Sequence, residues 1–518
     1  MSAGDVPLGS VEIRLAAAWC AEYYIPPATH YSLLTTHCSI MIFQRLYDDK
    51  LAQASYLIGC AATGEALVVD PNRDIDQYLR AAETEGLRVS AVTETHIHAD
   101  FVSGARELAH RVGAQLLLSA EGGEDWQYAF AAGAGATLLH HDDHFMVGNI
   151  RFDVVHTPGH TPEHLCFVVT DTAGASGPMG VLTGDFVFVG DVGRPDLLEK
   201  AVHVTGASEG AARALFRSLR AFKDLPDHLQ VWPAHGAGSA CGKGMSAVPQ
   251  STVGYERLFN WAFAATEEDD FLASVLADQP EPPEYFGQMK RVNREGPAIL
   301  NGFKRPPRLD DARIVDLIRD GAVVIDARSK QEFSEGHHPG TINIPFGRSF
   351  PTWAGWLVPY DREFYLIVPD RHEHALDDAV RDLALIGLEN VAGYAGASAI
   401  SSAEANGVEL DRIDQIDSRE LARRMEAGDV AVIDVRAAAE WKAGHLPGVT
   451  HIHLGYLRDR LQELPSDRPL VLQCRTGGRS TIAASLLRAT GRRDVSNLTG
   501  GIVAWGEAGL PVVSDEVA

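Results

Sequence analysis

A multidomain α/β protein is what this sequence predicts, and three observations carry the prediction. A chain of 518 residues is too long for one hydrophobic core, so roughly three domains of ordinary size are expected. Between Met41 and Val275, short apolar runs such as Ala66–Asp70 and Ser90–Thr95 alternate with helical patterns such as Asp74–Glu85, the mark of layered α/β structure. Further on, the chain repeats itself. VVIDARSKQEFSEGHHPGTINIP from Val323 aligns without gaps on AVIDVRAAAEWKAGHLPGVTHIH from Ala431, an offset of 108 residues. The alignment pairs Asp326 with Asp434, Arg328 with Arg436, Phe333 with Trp441 and His337 with His445.

These patterns divide the chain. Residues 1–40 show no clear periodicity and read as an extension outside the fold; 41–275 form the first domain. Residues 276–307, rich in prolines and charges, read as a linker region, and two copies of one α/β domain follow at 308–406 and 409–518. With 70 acidic against 45 basic side chains the formal charge is −25, a field that repels nucleic acid and anionic membranes. Any anionic small substrate must then be caught by local donors. The six cysteines lack paired spacing, and neither a membrane-length apolar run nor a secretory pattern is present, so a reducing, cytoplasmic setting is expected. A homo-oligomer stays open.

Two constellations carry chemistry. At the end of the run Ser90–Thr95, THIHAD places His96, His98 and Asp100 at alternate positions, which share a face on an extended chain. His160 in TPGH, Asp185 in LTGD and His235 in WPAHG each follow an apolar run, where layered α/β scaffolds collect ligands. An isolated histidine is usually a surface or hydrogen-bonded residue, and His156 and His164 are read so. The ordered set of six reads as a metal site. In the last repeat the strand-like Pro469–Gln473 runs into CRTGGRS and then the helical pattern Thr481–Arg488. A tight glycine-containing loop over a helix N-terminus makes a nest of N–H groups for an anion. With Arg475 and Arg479 nearby, it is expected to favour the thiolate of Cys474 over the thiol's usual pKa of ~8.5. Gly477 and Gly478 are expected to adopt backbone conformations closed to other residues. In the middle copy Pro369 stands where this cysteine would be, and proline has neither thiol nor N–H.

The first set resembles the metallo-β-lactamase superfamily, and GDFVFVGDVGRPDLL from Gly184 looks like its branch of glyoxalase II and persulfide dioxygenases. The CRTGGRS loop, with the DVR and GHLPG segments, resembles rhodanese. The order of domains looks like bacterial persulfide dioxygenase and sulfurtransferase fusions. The resemblance implies an αββα sandwich followed by two rhodanese-like domains, the first without catalysis. It implies one Fe(II) per chain held by His96, His160 and Asp185, a facial triad leaving positions for substrate and dioxygen. His98, Asp100 and His235 then orient ligands from behind. Arg194 and Asp196 match a GRxD segment of the branch, where Arg194 would clamp an anionic substrate or else pair with Asp196. Cys241, six residues past His235, is a candidate sulfur carrier. Binuclear relatives run HxHxDH, and here the last position is Phe101, which argues against a second metal. The implied substrates are a thiol persulfide on glutathione, coenzyme A or a similar carrier, with O2 and sulfite. The rival readings are a zinc thioester hydrolase with an appended rhodanese domain, and a persulfide carrier with a structural metal.

Overall fold

The computed structural model describes residues 41–202, 206–370 and 374–514, and the extension expected at 1–40 lies outside them. The largely apolar runs Met41–Asp48 (β1) and Gln53–Cys60 (β2) fold into an antiparallel hairpin that pairs Met41 with Cys60. Glu65–Val69 (β3), Arg88–Thr93 (β4), Gln115–Ser119 (β5) and Thr137–Leu139 (β6) extend it into a sheet of order β1-β2-β3-β4-β5-β6. A second sheet holds His144–Val147 (β7), Ile150–His156 (β8), Leu165–Asp171 (β9), Gly180–Gly184 (β10), Gln230–Pro233 (β11) and Ser251–Thr252 (β12), in the order β12-β11-β10-β9-β8-β7.

Both sheets bury both faces. Leu67, Leu117, Phe152, Phe167 and Trp232 fill the space between them. The outer face of the first sheet is covered by helices Asp76–Thr84 (α1) and Ala105–Val112 (α2), which bring Tyr78 and Leu108 onto Val68 and Val92. The outer face of the second is covered by Ala207–Phe222 (α3), whose Leu215, Leu219 and Phe222 pack with Val181 and Val231. The result is the expected αββα sandwich. Its functional consequence lies at one rim, where the chain leaves β4, β8, β10 and β11 and turns into loops carrying His96, His160, Asp185 and His235.

The segment expected to be a linker is structured instead. Tyr285–Glu295 forms a helix (α4), and Tyr285, Phe286, Met289 and Asn293 make its buried stripe. Pro280, Pro282 and Pro283 precede this helix and Pro297, Pro306 and Pro307 follow it, so none stands inside it, where a missing N–H and fixed φ would break it. Its apolar side chains join Val102 of the first domain and Trp353 and Leu383 of the next in one core.

The repeated domains are parallel sheets. Ile342–Asn343 (β14), Val323–Asp326 (β13), Phe364–Val368 (β15) and Val391–Gly396 (β16) make the first; Asp414–Ile416 (β17), Val495–Leu498 (β21), Leu470–Gln473 (β20), Ala431–Asp434 (β18) and Thr450–His451 (β19) make the second, each in that order. Helices Phe350–Leu357 (α5) and Ala375–Leu385 (α6) belong to the first and Gly478–Ala489 (α7) to the second. The aligned Asp–x–Arg triplets explain the repeat: Arg328 and Arg436 each fold back on Asp326 and Asp434 at 2.6 Å, and both pairs are buried. None of the described helices is long and apolar enough to cross a membrane.

Candidate metal centre and sulfur-transfer loop

At the rim of the sandwich His96, His160 and Asp185 are buried, and one ligand atom from each lies within 4.8 Å of the others. Both imidazoles turn Nε2 toward Asp185 Oδ2, at 3.8 Å from His96 and 3.5 Å from His160. That carboxylate oxygen is buried and has no hydrogen-bond partner among the described residues. A buried anionic oxygen without a donor is costly, and two converging imidazole nitrogens beside it describe a place for a cation. The donor set therefore fits a metal ion.

The hydrogen bonds behind the three groups fix which nitrogen carries the proton. Thr95 Oγ1 donates to Asp70 Oδ2 at 2.9 Å, so toward His96 Nδ1, also 2.9 Å away, it accepts. His160 Nδ1 donates to the Arg194 carbonyl at 3.0 Å. Each imidazole is thus left with a lone pair on Nε2, facing the carboxylate. Burial holds both below the usual histidine range, which keeps them neutral. Burial alone would raise Asp185, but the charge of His235 and the hydrogen bond it donates hold the carboxyl well below the usual carboxylate range.

Glycine makes this packing possible. Gly184 has φ +51°, and a Cβ there would come within 2.5 Å of Thr95 Oγ1 and 2.6 Å of His164 Nε2. A Cβ on Gly193 would fall 1.8 Å from the Asp185 carbonyl.

The other candidates fall into place around this triad. His235 Nδ1 donates to Asp185 Oδ1 at 2.8 Å. Its Nε2 lies 2.9 Å from Asp100 Oδ2, yet neither atom makes a hydrogen bond of good geometry, and together with Cys241 they form a second group of converging donors. His98 turns away from the triad to Asp70 Oδ1 at 3.2 Å, with its ring 4.4 Å from that of Phe101. Four participants carried no signal in the motifs. Asp70, just past β3, receives Thr95 N–H, Thr95 Oγ1 and His98. His164, read as an ordinary hydrogen-bonded histidine, accepts the Asp185 N–H at 3.1 Å. Glu163 accepts the Ile97 N–H between the two histidines at 2.7 Å. Asn293 of α4 donates to the carbonyls of His98 and Phe101 and accepts the Ser103 N–H. Asp70 stands at a strand end and was findable by position; Asn293 was not.

In the last domain Cys474 follows β20 directly and is buried. Its Sγ accepts from the Gly477 N–H and from Ser480 Oγ, both at 3.2 Å. Gly477 has φ +88° and precedes α7, so the helix N-terminus points at the sulfur. Cys474 and Arg475 also turn their carbonyls outward to Ile502 and Val503 N–H, which leaves donors rather than acceptors facing Sγ. Arg475 is exposed, and Arg479 makes two hydrogen bonds to Glu440, one of 2.8 Å. In the preceding domain Pro369 directly follows β15, the counterpart of β20.

Comparison with known proteins agrees with both halves of this geometry. Residues 48–235 match the metallo-β-lactamase superfamily model, and residues 311–399 and 417–508 each match the rhodanese-like domain model. The crystal structure of a metallo-β-lactamase from Staphylococcus aureus is 43% identical, with TM-score 0.62, and covers 69% of this chain and 99% of that one. The chain belongs to the metallo-β-lactamase superfamily and carries two rhodanese-like domains. A sulfurtransferase of Allochromatium vinosum is 38% identical over 105 residues, covering 20% of this chain and 98% of the relative. A hydroxyacylglutathione hydrolase of Nitrosococcus oceani is 30% identical over 197 residues; the match takes in 38% of this chain, and the chain spans 66% of that relative's length.

Within the metallo-β-lactamase domain three expectations change. Arg194 is fully buried, with Nε and Nη2 on Asp196 at 2.7 and 2.9 Å and Nη1 on the carbonyls of Ala240 and Pro280. It ties the GRPD segment to the loop after β11 and to the stretch just before α4, and has no accessible edge for a substrate. Asp196 is accordingly its ion-pair partner, shared with Lys200. Cys241 lies inside, 2% exposed, and burial with the nearby Asp185 and Asp100 pushes its thiol up to about 12. A thiol protonated at neutral pH is a poor sulfur acceptor. In the sulfur-transfer loop, Gly478 has ordinary helical backbone with open space where a Cβ would stand, so of the Gly477–Gly478 pair Gly477 alone requires glycine.

Proposed function

We propose that this chain oxidises the terminal sulfur of a low-molecular-weight thiol persulfide with dioxygen at one Fe(II) ion, and that Cys474 transfers sulfane sulfur. The observation that carries the reading is the triad of two neutral imidazoles and one ionised carboxylate, with an unpartnered carboxylate oxygen at their meeting point. Bound there, iron supplies redox chemistry and open coordination positions for sulfur and O2, which zinc, being redox-inert, does not.

The chain's own groups set the stage. The Asp70–Thr95 pair and the Arg194 carbonyl orient the imidazoles, and His235 orients the carboxylate, so that the three donors are preorganised. The overall change is RSSH + O2 + H2O → RSH + SO3²⁻ + 2 H⁺. In the sulfur-transfer loop, a second RSSH gives its outer sulfur to Cys474 and leaves as RSH. Attack of sulfite on that outer sulfur forms the S–S bond of thiosulfate and breaks the bond to Cys474, whose thiolate is received by the Gly477 N–H and Ser480 hydroxyl. The first rhodanese-like domain, with Pro369 at the corresponding place, takes no part in sulfur transfer.

Oxygen uptake with glutathione persulfide tests this. His96→Ala is expected to abolish uptake, and Cys474→Ser to spare uptake while stopping thiosulfate formation. No uptake by the iron-loaded wild type contradicts the reading. A second reading, zinc-dependent thioester hydrolysis, is favoured by the second donor group at Asp100, His235 and Cys241 and by the likeness to a hydroxyacylglutathione hydrolase.

A further inference from the structure

The first rhodanese-like domain meets the metal site at a cleft of about 80 Å³. Asp100 and Ala240 line it from the metallo-β-lactamase domain, Tyr285 from α4, and Pro351 and Thr352 from α5. Its inner end is polar: the Asp100 carboxylate is buried, its one close partner is His235, and among the described residues neither oxygen accepts a hydrogen bond of good geometry. Behind Asp100 stand His235, 2.9 Å away, and then Asp185, 2.8 Å beyond. The cleft therefore ends one imidazole from the triad.

Its size restricts what enters. Pockets that swallow a whole drug-sized ligand measure roughly 300–1,000 Å³, so this one admits a narrow, reactive end of a molecule and leaves the rest outside. One cation, Lys50, lines the cleft, and a second, Arg348, stands beside the lining Gly238. Lys50 is occupied, being held by Asp382 and lying 4.7 Å from the Phe346 ring centre. Arg348 is exposed, and among the described residues it has neither a hydrogen bond nor an ion pair. Its Nη2 lies 3.7 Å from where a Cβ on Gly238 would stand, which puts the guanidinium across the rim from the first rhodanese-like domain to the loop after β11. In a chain of net charge −25, an unneutralised guanidinium at the mouth of a cleft is a local attractor for anions.

We propose that this cleft is the substrate entrance, that the first rhodanese-like domain forms its outer wall, and that Arg348 holds a phosphate or carboxylate of the thiol carrier. The carrier's identity as a persulfide rests on the function proposed above; the anion site does not. It gives the domain with Pro369 a role in selecting substrate.

Calorimetric binding of coenzyme A and of glutathione, neither of which needs oxygen or turnover, tests the site on the full chain with Arg348→Glu and Arg348→Lys. Arg348→Glu is expected to weaken binding about tenfold, with most of it regained in Arg348→Lys and the difference shrinking as salt rises. Loss for coenzyme A alone assigns phosphate, and loss for glutathione alone assigns carboxylate. Oxygen uptake supplies the second readout: Arg348→Glu is expected to raise KM for the charged persulfides with kcat unchanged, and to leave KM for uncharged hydroxyethyl persulfide as it was. Wild type that binds neither thiol, a charge reversal that leaves both binding constants unchanged, or an equal KM increase for hydroxyethyl persulfide overturns the proposal. Absence of oxygen uptake in wild type removes the persulfide reading alone, because the calorimetry still decides the anion site.

Discussion

Thr95 shows how much a single hydroxyl decides. By donating to Asp70 it becomes an acceptor toward His96, and so leaves the His96 lone pair on the nitrogen that faces Asp185. Thr95→Val keeps the shape and removes the hydroxyl. Outer groups of this kind typically govern metal affinity by about 10- to 100-fold, and a loss of that order is expected in competition with a chelator. Glu163 offers a pH test. Burial raises its carboxyl from the ordinary 4.5 to about 7, against the pull of the Ile97 N–H. A carboxyl raised in the folded state binds its proton more tightly there, so its contribution is fully present below the unfolded pKa and is lost as pH rises through about 7. The depressed histidines act in the opposite direction, so the difference between variants is the informative quantity. Glu163→Gln is expected to gain stability relative to wild type between pH 5 and pH 8, on the order of 3 kcal/mol at most. A difference in thermal midpoints that stays constant across that range contradicts this.

Among the elements, α4 is the one that sequence patterns misplace. Asn293 from this helix satisfies His98, Phe101 and Ser103 of the loop after β4, and the neighbouring Val102 N–H is taken by the Leu385 carbonyl of α6 at 2.7 Å. The loop that carries two metal-site residues is thus held from outside its own domain. Asn293→Ala strands three buried backbone groups, and a loss of about 2–3 kcal/mol is expected, read as a lower melting temperature with weaker metal retention. Unchanged retention in a folded variant contradicts a role in holding the loop. Strand ends and the HxHxD spacing were legible because a few covalent bonds set them. The repeat was legible because Asp326–Arg328 and Asp434–Arg436 do the same job at the same spacing. Asn293 was not, since its partners are fixed by long-range packing. Arg194 stayed open between a substrate clamp and a partner for Asp196 because a sequence does not reveal that Ala240 and Pro280 take its remaining donors.

Across the whole molecule, one continuous core runs from Val102 and Phe188 through Tyr285 and Phe350 to Leu454 and Cys474. Ion pairs between Arg381 and both Asp48 and Asp74, each at 2.7 Å, reinforce the junction of the first two domains. The metal site and the sulfur-transfer loop are therefore parts of one packed body, which suits the proposal that sulfite made at the first is the acceptor at the second. What decides the account is the metal itself. Elemental analysis of anaerobically purified full-length protein, paired with oxygen uptake on glutathione persulfide, is expected to give one iron per chain, lost in Asp185→Ala together with the uptake. Two zinc ions per chain, with thioester hydrolysis and no oxygen consumed, contradicts it.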